Sequence, residues 1–320
     1  MGLGIRPVVD FAFKRIFGSP TNKVPLMSLL NAILQLSEPI VEVEILNPFN
    51  RKEFEEAKEI VLDVRCRDLL GHRLNIEMQV YIYGGLLQRS VYYACSMYVD
   101  QLEQGDQYKI LRPAISICLL NDTVFPTGEP SHHRFQLIDR PTGRRLDNAI
   151  EVHTVELSKY NLDEATIRNA SKIEQWVFFL RFAQDYSAER LRELLPGIDF
   201  DQAIHTIEII AAQTEDRQMY EQREKAIRDL KWALAGAREE GRAEGREEGR
   251  AEGREEGRAE GREEGERVGL KKGELAGKIR LLQELLGEVP TQLEDLRETP
   301  IERLESMQER LQRRLRERRS

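Results

Sequence analysis

The stretch Ile60–Tyr81, IVLDVRCRDLLGHRLNIEMQVY, holds two carboxylates where alternation and turn chemistry bring them face to face. Ile60, Leu62, Val64 and Cys66 alternate with Val61, Asp63, Arg65 and Arg67. Leu74, Ile76, Met78 and Val80 alternate in the same way with Asn75, Glu77, Gln79 and Tyr81. A period of two marks half-buried strands. A three-residue loop Leu69–Gly71, with Gly71 in the left-handed conformation, closes the two arms into a bulged hairpin in which Asp68 pairs with His72. Counting back along both arms from that pair sets Asp63 opposite Glu77. Directly opposed residues have Cβ atoms roughly 4.5–5.5 Å apart. Two like charges there destabilise the pair unless something neutralises them, and a hard divalent cation would do so.

Such a site suits hydrolysis of a phosphodiester. Mg²⁺ takes oxygen ligands and keeps several waters, and Asp63, Glu77 and the main-chain carbonyl of Met78 could hold it. The ion would polarise the phosphate and lower the pKa of a bound water, which Gln79 could orient. A neutral amide supplies no positive charge, so another residue must offset the charge that develops on phosphorus. Arg65 shares the face of Asp63, Lys58 has the opposite parity, and Lys14 would have to arrive from another element. Parity favours Arg65. The plainer reading, in which the two acids form salt bridges with arginines on a wet sheet face, stays open. The chain has no G-x-S-x-G, Walker-type G-x-x-x-x-G-K or H-E-x-x-H motif, so no nucleotide cofactor is expected. His132 and His133, adjacent on a strand, would point to opposite faces and not share a metal.

Positioning this hairpin requires a frame. Pro7 can open a helix to Phe17, in which Asp10 and Lys14 share a face. They form either a surface ion pair or, in the case of Asp10, a third acid aimed at the hairpin. Val24–Gln35 reads as a buried helix, Ile40–Ile45 as a strand, and Leu86–Glu103 as a helix with Gln88, Arg89 and Tyr92 on its flank. Pro113–Leu120 is apolar enough for a strand covered on both faces, and Arg134–Ile138 and Ala149–Val155 add two more. From Glu164 to about Ala237 the pattern is helical. The order predicts an α/β core with a mixed sheet and a helical cap.

The formal charge of −8 argues against coating nucleic acid by bulk charge but leaves a local basic groove open. Cys66, Cys95 and Cys118 are widely spaced in apolar surroundings, as in reduced core positions. No apolar run is long enough to cross a bilayer and the first residues lack a signal core, so a soluble, cytoplasmic protein is expected.

From Gly241 to Gly277 a glycine recurs every fourth residue in GRAE and GREE units. On a helix a period of four gains roughly 40° per step over a full turn, so the glycines trace a spiral ridge. Each costs roughly 0.8–1 kcal/mol relative to Ala, which predicts a marginal, solvent-exposed helical spacer. The alternative is self-association along the ridge into a homo-oligomer. Lys278–Gly287, Pro290–Arg297 and Pro300–Leu315 form a small helical tail with a basic end, solvated or nucleic-acid-binding. Its expected core is Leu281, Leu282, Leu285, Leu286, Leu293, Leu296, Ile301, Leu304 and Met307. The expected divisions are 1–237, 238–277 and 278–320.

Several segments together resemble the Rpn recombination-promoting nucleases, also called PD-(D/E)XK nuclease family transposases. They are Asp10-Phe-Ala-Phe-Lys-Arg-Ile-Phe17, Leu30-Asn-Ala-Ile33, Leu62-Asp-Val64, Asn75-Ile-Glu-Met-Gln79 and Arg89-Ser-Val-Tyr-Tyr93, within roughly residues 5–235. The resemblance implies a restriction-endonuclease-like core, a mixed β-sheet flanked by helices that cuts DNA with Mg²⁺. By position it makes Asp63 and Glu77 the metal carboxylates, matches Asp10 to the acid of the first core helix, and puts Gln79 where most of the superfamily has Lys. It implies a DNA endonuclease that promotes recombination. A catalytically silent relative that binds DNA or a protein is the alternative, and a scaffold self-associating through the repeat is a further one.

Overall fold

The molecule is described from a computed structural model, which covers residues 2–49, 63–81 and 84–318, Asp63 by its backbone. Lys58, the expected strand residues Ile60–Leu62 and the tail residue Arg319 lie outside the described residues. The chain divides into two units, Met1–Ala233 and Leu234–Ser320.

The first unit is built on six strands: β1 (Val43–Ile45), β2 (Asp63–Asp68), β3 (Arg73–Gln79), β4 (Ala114–Leu120), β5 (His132–Gln136) and β6 (Ile150–Glu156). They stand in the order β1-β2-β3-β4-β6-β5. The sheet is mixed, since β3–β4 and β4–β6 are parallel and the remaining pairs antiparallel. A parallel neighbour cannot be reached by a tight turn, and helix α3 (Leu86–Val99) lies in the crossover from β3 to β4.

The hairpin forms as its turn residues dictate. Gly71 takes φ +86°, and its amide donates to the Asp68 carbonyl at 3.1 Å. The Asp68 carboxylate accepts from the His72 amide at 2.9 Å and lies 2.7 Å from its ring Nδ1. A side chain at position 71 would also meet Arg112 Cγ at 3.0 Å. With the turn pinned, Asp63 pairs with Glu77, Arg65 with Asn75 and Arg67 with Arg73.

Each face of the sheet has its own cover. Val64, Cys66, Leu74, Ile76, Met78, Ile117 and Leu119 belong to the main core. That core also takes in α1 (Asp10–Phe17), α2 (Lys23–Leu34), α4 (Lys172–Phe182) and α6 (Ile198–Ala212), with Trp176 T-shaped against Phe17 and Phe179. A Ser171–Glu174 capping box starts α4. On the other face Leu86 of α3 packs with Cys118 and Leu120. Strand β1 is shorter than its alternation predicts because Ile40 is engaged elsewhere. The Asn31 carboxamide donates to its carbonyl at 2.9 Å and accepts from its amide at 2.8 Å.

A short α5 (Ala188–Leu194) precedes α6, and α7 runs from Thr214 to Leu286 through the whole glycine repeat. In the second unit Leu275, Ala276, Ile279, Leu282 and Leu286 pack with Leu296 of α8 (Leu293–Glu298) and Leu304 and Leu311 of α9 (Ile301–Glu317). Leu281, Leu285 and Leu293, expected inside, are exposed. The stripe 275, 279, 282, 286 follows the helical period, and 281 and 285 fall outside its arc. A Cβ on any glycine from Gly241 to Gly277 would meet nothing within 4 Å, apart from its helix's own backbone and chain neighbours.

At the β5–β6 edge the expected split of the adjacent histidines is found. His132 Nε2 lies 2.8 Å from His153 Nδ1, whose Nε2 lies 2.6 Å from Glu151, while the His133 ring stacks on Phe135. Burial would raise the Glu151 carboxyl, but hydrogen bonds from His153, Arg134 and Gln136 outweigh it and hold it at about 2. Burial, with His153, His133 and Arg134 nearby and Glu151 opposing, pushes His132 down to about 4. Both folded values lie below the unfolded ones, so stability present above them is lost as pH falls, from about 6.5 to 4 for His132 and from 4.5 to 2 for Glu151. Between pH 6.5 and 4 the parent's melting temperature should therefore fall relative to that of His132→Phe, in a pH series followed by circular dichroism.

Candidate active site

Position 63 closes the β2–β3 ladder and position 77 is its partner, so the hairpin delivers its two acids to adjacent backbone positions. The next ladder runs Glu77 to Cys118 and Gln79 to Leu120, the face that α3 covers. Asn75, Glu77 and Gln79 are all buried there. Met78 is buried in the opposite face, so the main-chain carbonyl is what it can offer a cation.

A residue from α3 draws this face together. One guanidinium nitrogen of Arg89, Nη2, donates to Glu77 Oε1 and to Gln79 Oε1, the latter at 2.5 Å. The Gln79 amide is held the other way round, with Nε2 donating to the Tyr81 carbonyl at 2.9 Å, so its oxygen is turned toward Arg89. Arg89 stands in the first turn of α3, whose start is set by Gly85 at φ +84°, and its amide donates to the Gly85 carbonyl at 2.9 Å. The guanidinium carbon also lies 6.0 Å from the centroid of the Tyr93 ring, one turn along the helix. Arg65 reaches the same ring, 5.9 Å from its centroid. Beneath the group, burial and then the negative charge of Glu77 push the Cys118 thiol up to about 12, against Ser90 and Arg89, so this cysteine stays protonated.

The sequence-derived site residues thus fall into groups. Glu77, Gln79 and Arg65 lie around Arg89 and Tyr93, and Asp63 is the ladder partner of Glu77. Asp10 is elsewhere. It opens α1, which approaches the Val64 face where a Cβ on Gly18 would lie 3.5 Å from Val64. Asp10 and Lys14 are both buried, so they are not a surface ion pair. Asp10 Oδ1 accepts from the Phe11 amide at 2.9 Å, while Oδ2 makes no hydrogen bond among the described residues and lies 3.8 Å from Arg223 of α7. Arg15 reaches Asp216 at 3.2 Å and the Arg6 amide donates to Tyr220, so α1 is tied along the first turns of α7.

Sequence reasoning missed Arg89 as a site residue. A usable signal was present, since a helix entered through Gly84-Gly85 directly after β3 must start near the end of that strand.

The donor set fits a hard divalent cation. Glu77 and Gln79 offer oxygen, their two oxygens converge on one cationic nitrogen, and Asp63 is the paired position. Among the described residues no three His, Cys, Asp or Glu groups could together hold a metal, so a cation here would need Asp63, Gln79 or a main-chain carbonyl besides Glu77.

A mixed α/β sheet whose central hairpin carries paired acids beside a helix-borne arginine defines a core of the restriction-endonuclease kind. Residues 7–237 match the PD-(D/E)XK nuclease family transposases, and the chain belongs to that family. No curated protein and no solved structure matches it. Membership brings a nuclease-type function with DNA as substrate, in a family that generally uses divalent metal ions. No helix among the described residues is long and apolar enough to cross a membrane.

Asp10 allows a test that separates fold from chemistry. Burial raises its carboxyl to about 6, against the pull of Arg223 and the Phe11 amide. Its folded value exceeds its unfolded one, so its contribution is complete below about 3.8 and is lost as pH rises through 6. Asp10→Asn should therefore be more stable than the parent at pH 7.5, by roughly 1–3 kcal/mol in urea unfolding, and the difference should shrink toward pH 4.

Proposed function

We propose that this chain is a Mg²⁺-dependent DNA endonuclease of the Rpn type, which hydrolyses phosphodiester bonds and promotes DNA recombination in the cytoplasm, in mobile-element biology or against foreign DNA. The observation that carries the reading is the convergence of Glu77 Oε1 and Gln79 Oε1 on one cationic nitrogen, beside the ladder partner Asp63. Asp63, Glu77 and the Met78 carbonyl would hold the ion. When bound, it would polarise the phosphate and acidify a water. Glu77 is fixed by the sheet, and Gln79, held by its bond to Tyr81, presents a carboxamide oxygen that can orient the attacking water. Arg65, exposed beside Tyr93, is suited to meeting a DNA phosphate.

A second reading rests on the same contact. Glu77 already carries a cation of the protein's own, as it would in a nuclease-like module that binds DNA or a protein without cutting. Supercoiled plasmid incubated with the purified chain and Mg²⁺ separates the two. The endonuclease should nick it, and Asp63→Ala and Glu77→Ala should each lower the rate by at least about 100-fold while leaving the circular dichroism spectrum unchanged. DNA retention without cutting, unaffected by either substitution or by EDTA, would instead establish the binding module.

A further inference from the structure

We propose that Arg89 is an exchangeable counter-ion, which neutralises Glu77 in the metal-free protein and competes with the divalent cation for Glu77 and Gln79. The inference rests on the metal reading of the site and concerns what occupies it otherwise. The Glu77 side chain is 9% exposed, and a carboxyl so nearly removed from water is neutralised either by a proton or by a positive partner. Here the partner in place is a guanidinium, which a cation loading from solution would have to displace. Arg89 has the geometry of a stand-in for that cation. Residues 77 and 79 project from one strand with Cα atoms roughly 6.5–7 Å apart, yet both side-chain oxygens meet a single nitrogen. A guanidinium that touched only Glu77 would be a strut between helix and strand. One that gathers a carboxylate and a neutral amide oxygen imitates the ligand set of an ion.

The identity of residue 79 fits this role. A lysine there would bring an ammonium against the Arg89 guanidinium, whereas the Gln79 oxygen, oriented through Tyr81, accepts from it. At this contact the positive charge is thus carried by helix α3 and not by residue 79 of β3. Arg89 also has a second seat. Its guanidinium already lies 6.0 Å from the Tyr93 centroid, where a displaced cation keeps a favourable partner without entering apolar core. Its side chain is 27% exposed, enough for such a shift.

Isothermal titration of the full-length chain with Mn²⁺, without DNA, tests the competition. If Arg89 holds the site closed about nine-tenths of the time, removing it should raise the apparent Mn²⁺ affinity about tenfold. Arg89→Gln should show that gain, and adding Glu77→Gln to it should erase the tight site. Arg89→Lys, whose single ammonium cannot grip both oxygens as well, should fall between, and it keeps the test available if the glutamine variant does not fold. Unchanged or weaker Mn²⁺ binding in folded variants would make Arg89 a fixed strut and overturn the proposal while leaving the metal site standing. No Mn²⁺ binding to either parent or variants would overturn the metal reading itself, and this proposal with it.

Discussion

The site depends on strand register. Side chains alternate with a period of two, so a slip of one residue between β2 and β3 would carry Glu77 into the main core and bring Ile76 to the face of α3. Two things prevent it. The turn is pinned by the positive φ of Gly71 and the grip of Asp68 on His72, and the opposite face is committed to a continuous apolar core.

Register creates a difficulty that the rest of the site answers. It places a carboxylate under a helix, out of water and next to a second acidic position, an arrangement a sheet adopts only if the charge is compensated. Compensation comes from across the crossover, through a helix whose first turn must lie over the end of β3. The parallel β3–β4 pair, the Gly84-Gly85 entry, Arg89 and the orientation of Gln79 belong to one solution. Asp10 is a separate case of the same tension, a buried carboxylate whose nearest cation on α7 is too far for a hydrogen bond.

The parts legible in the sequence are those fixed by local rules. The Asp63–Glu77 register followed from one glycine and two alternating arms, and the buried strand β4 from its unbroken apolar run. Other features depend on partners far along the chain. Ile40 looks like strand until Asn31 takes its backbone groups. Leu281 and Leu285 are as apolar as Leu282 and Leu286, and only the docking of α8 and α9 selects which pair is covered. Arg89 sat in view on a helix flank, but its meaning required knowing that α3 returns over its own preceding strand. Parity puts Arg65 on the face of Glu77, where it reaches the Tyr93 ring, while the cation gripping the acid comes from a different element.

The glycines of α7 have a consequence for cooperativity. None of the ten from Gly241 to Gly277 is required by packing, since a side chain at each would meet open space beyond its own helix. Each still weakens the helix by roughly 0.8–1 kcal/mol, and from Gly241 to Gly269, before Leu275 and Ala276 join the leucine cluster, the helix has no buried residue to support its backbone hydrogen bonds. Opening there is local and exposes no apolar surface of consequence. Heat or denaturant acting on the core of residues 1–233 is therefore not obliged to melt the leucine cluster of residues 234–320, and the division into two units sets the expectation of two unfolding transitions within one chain.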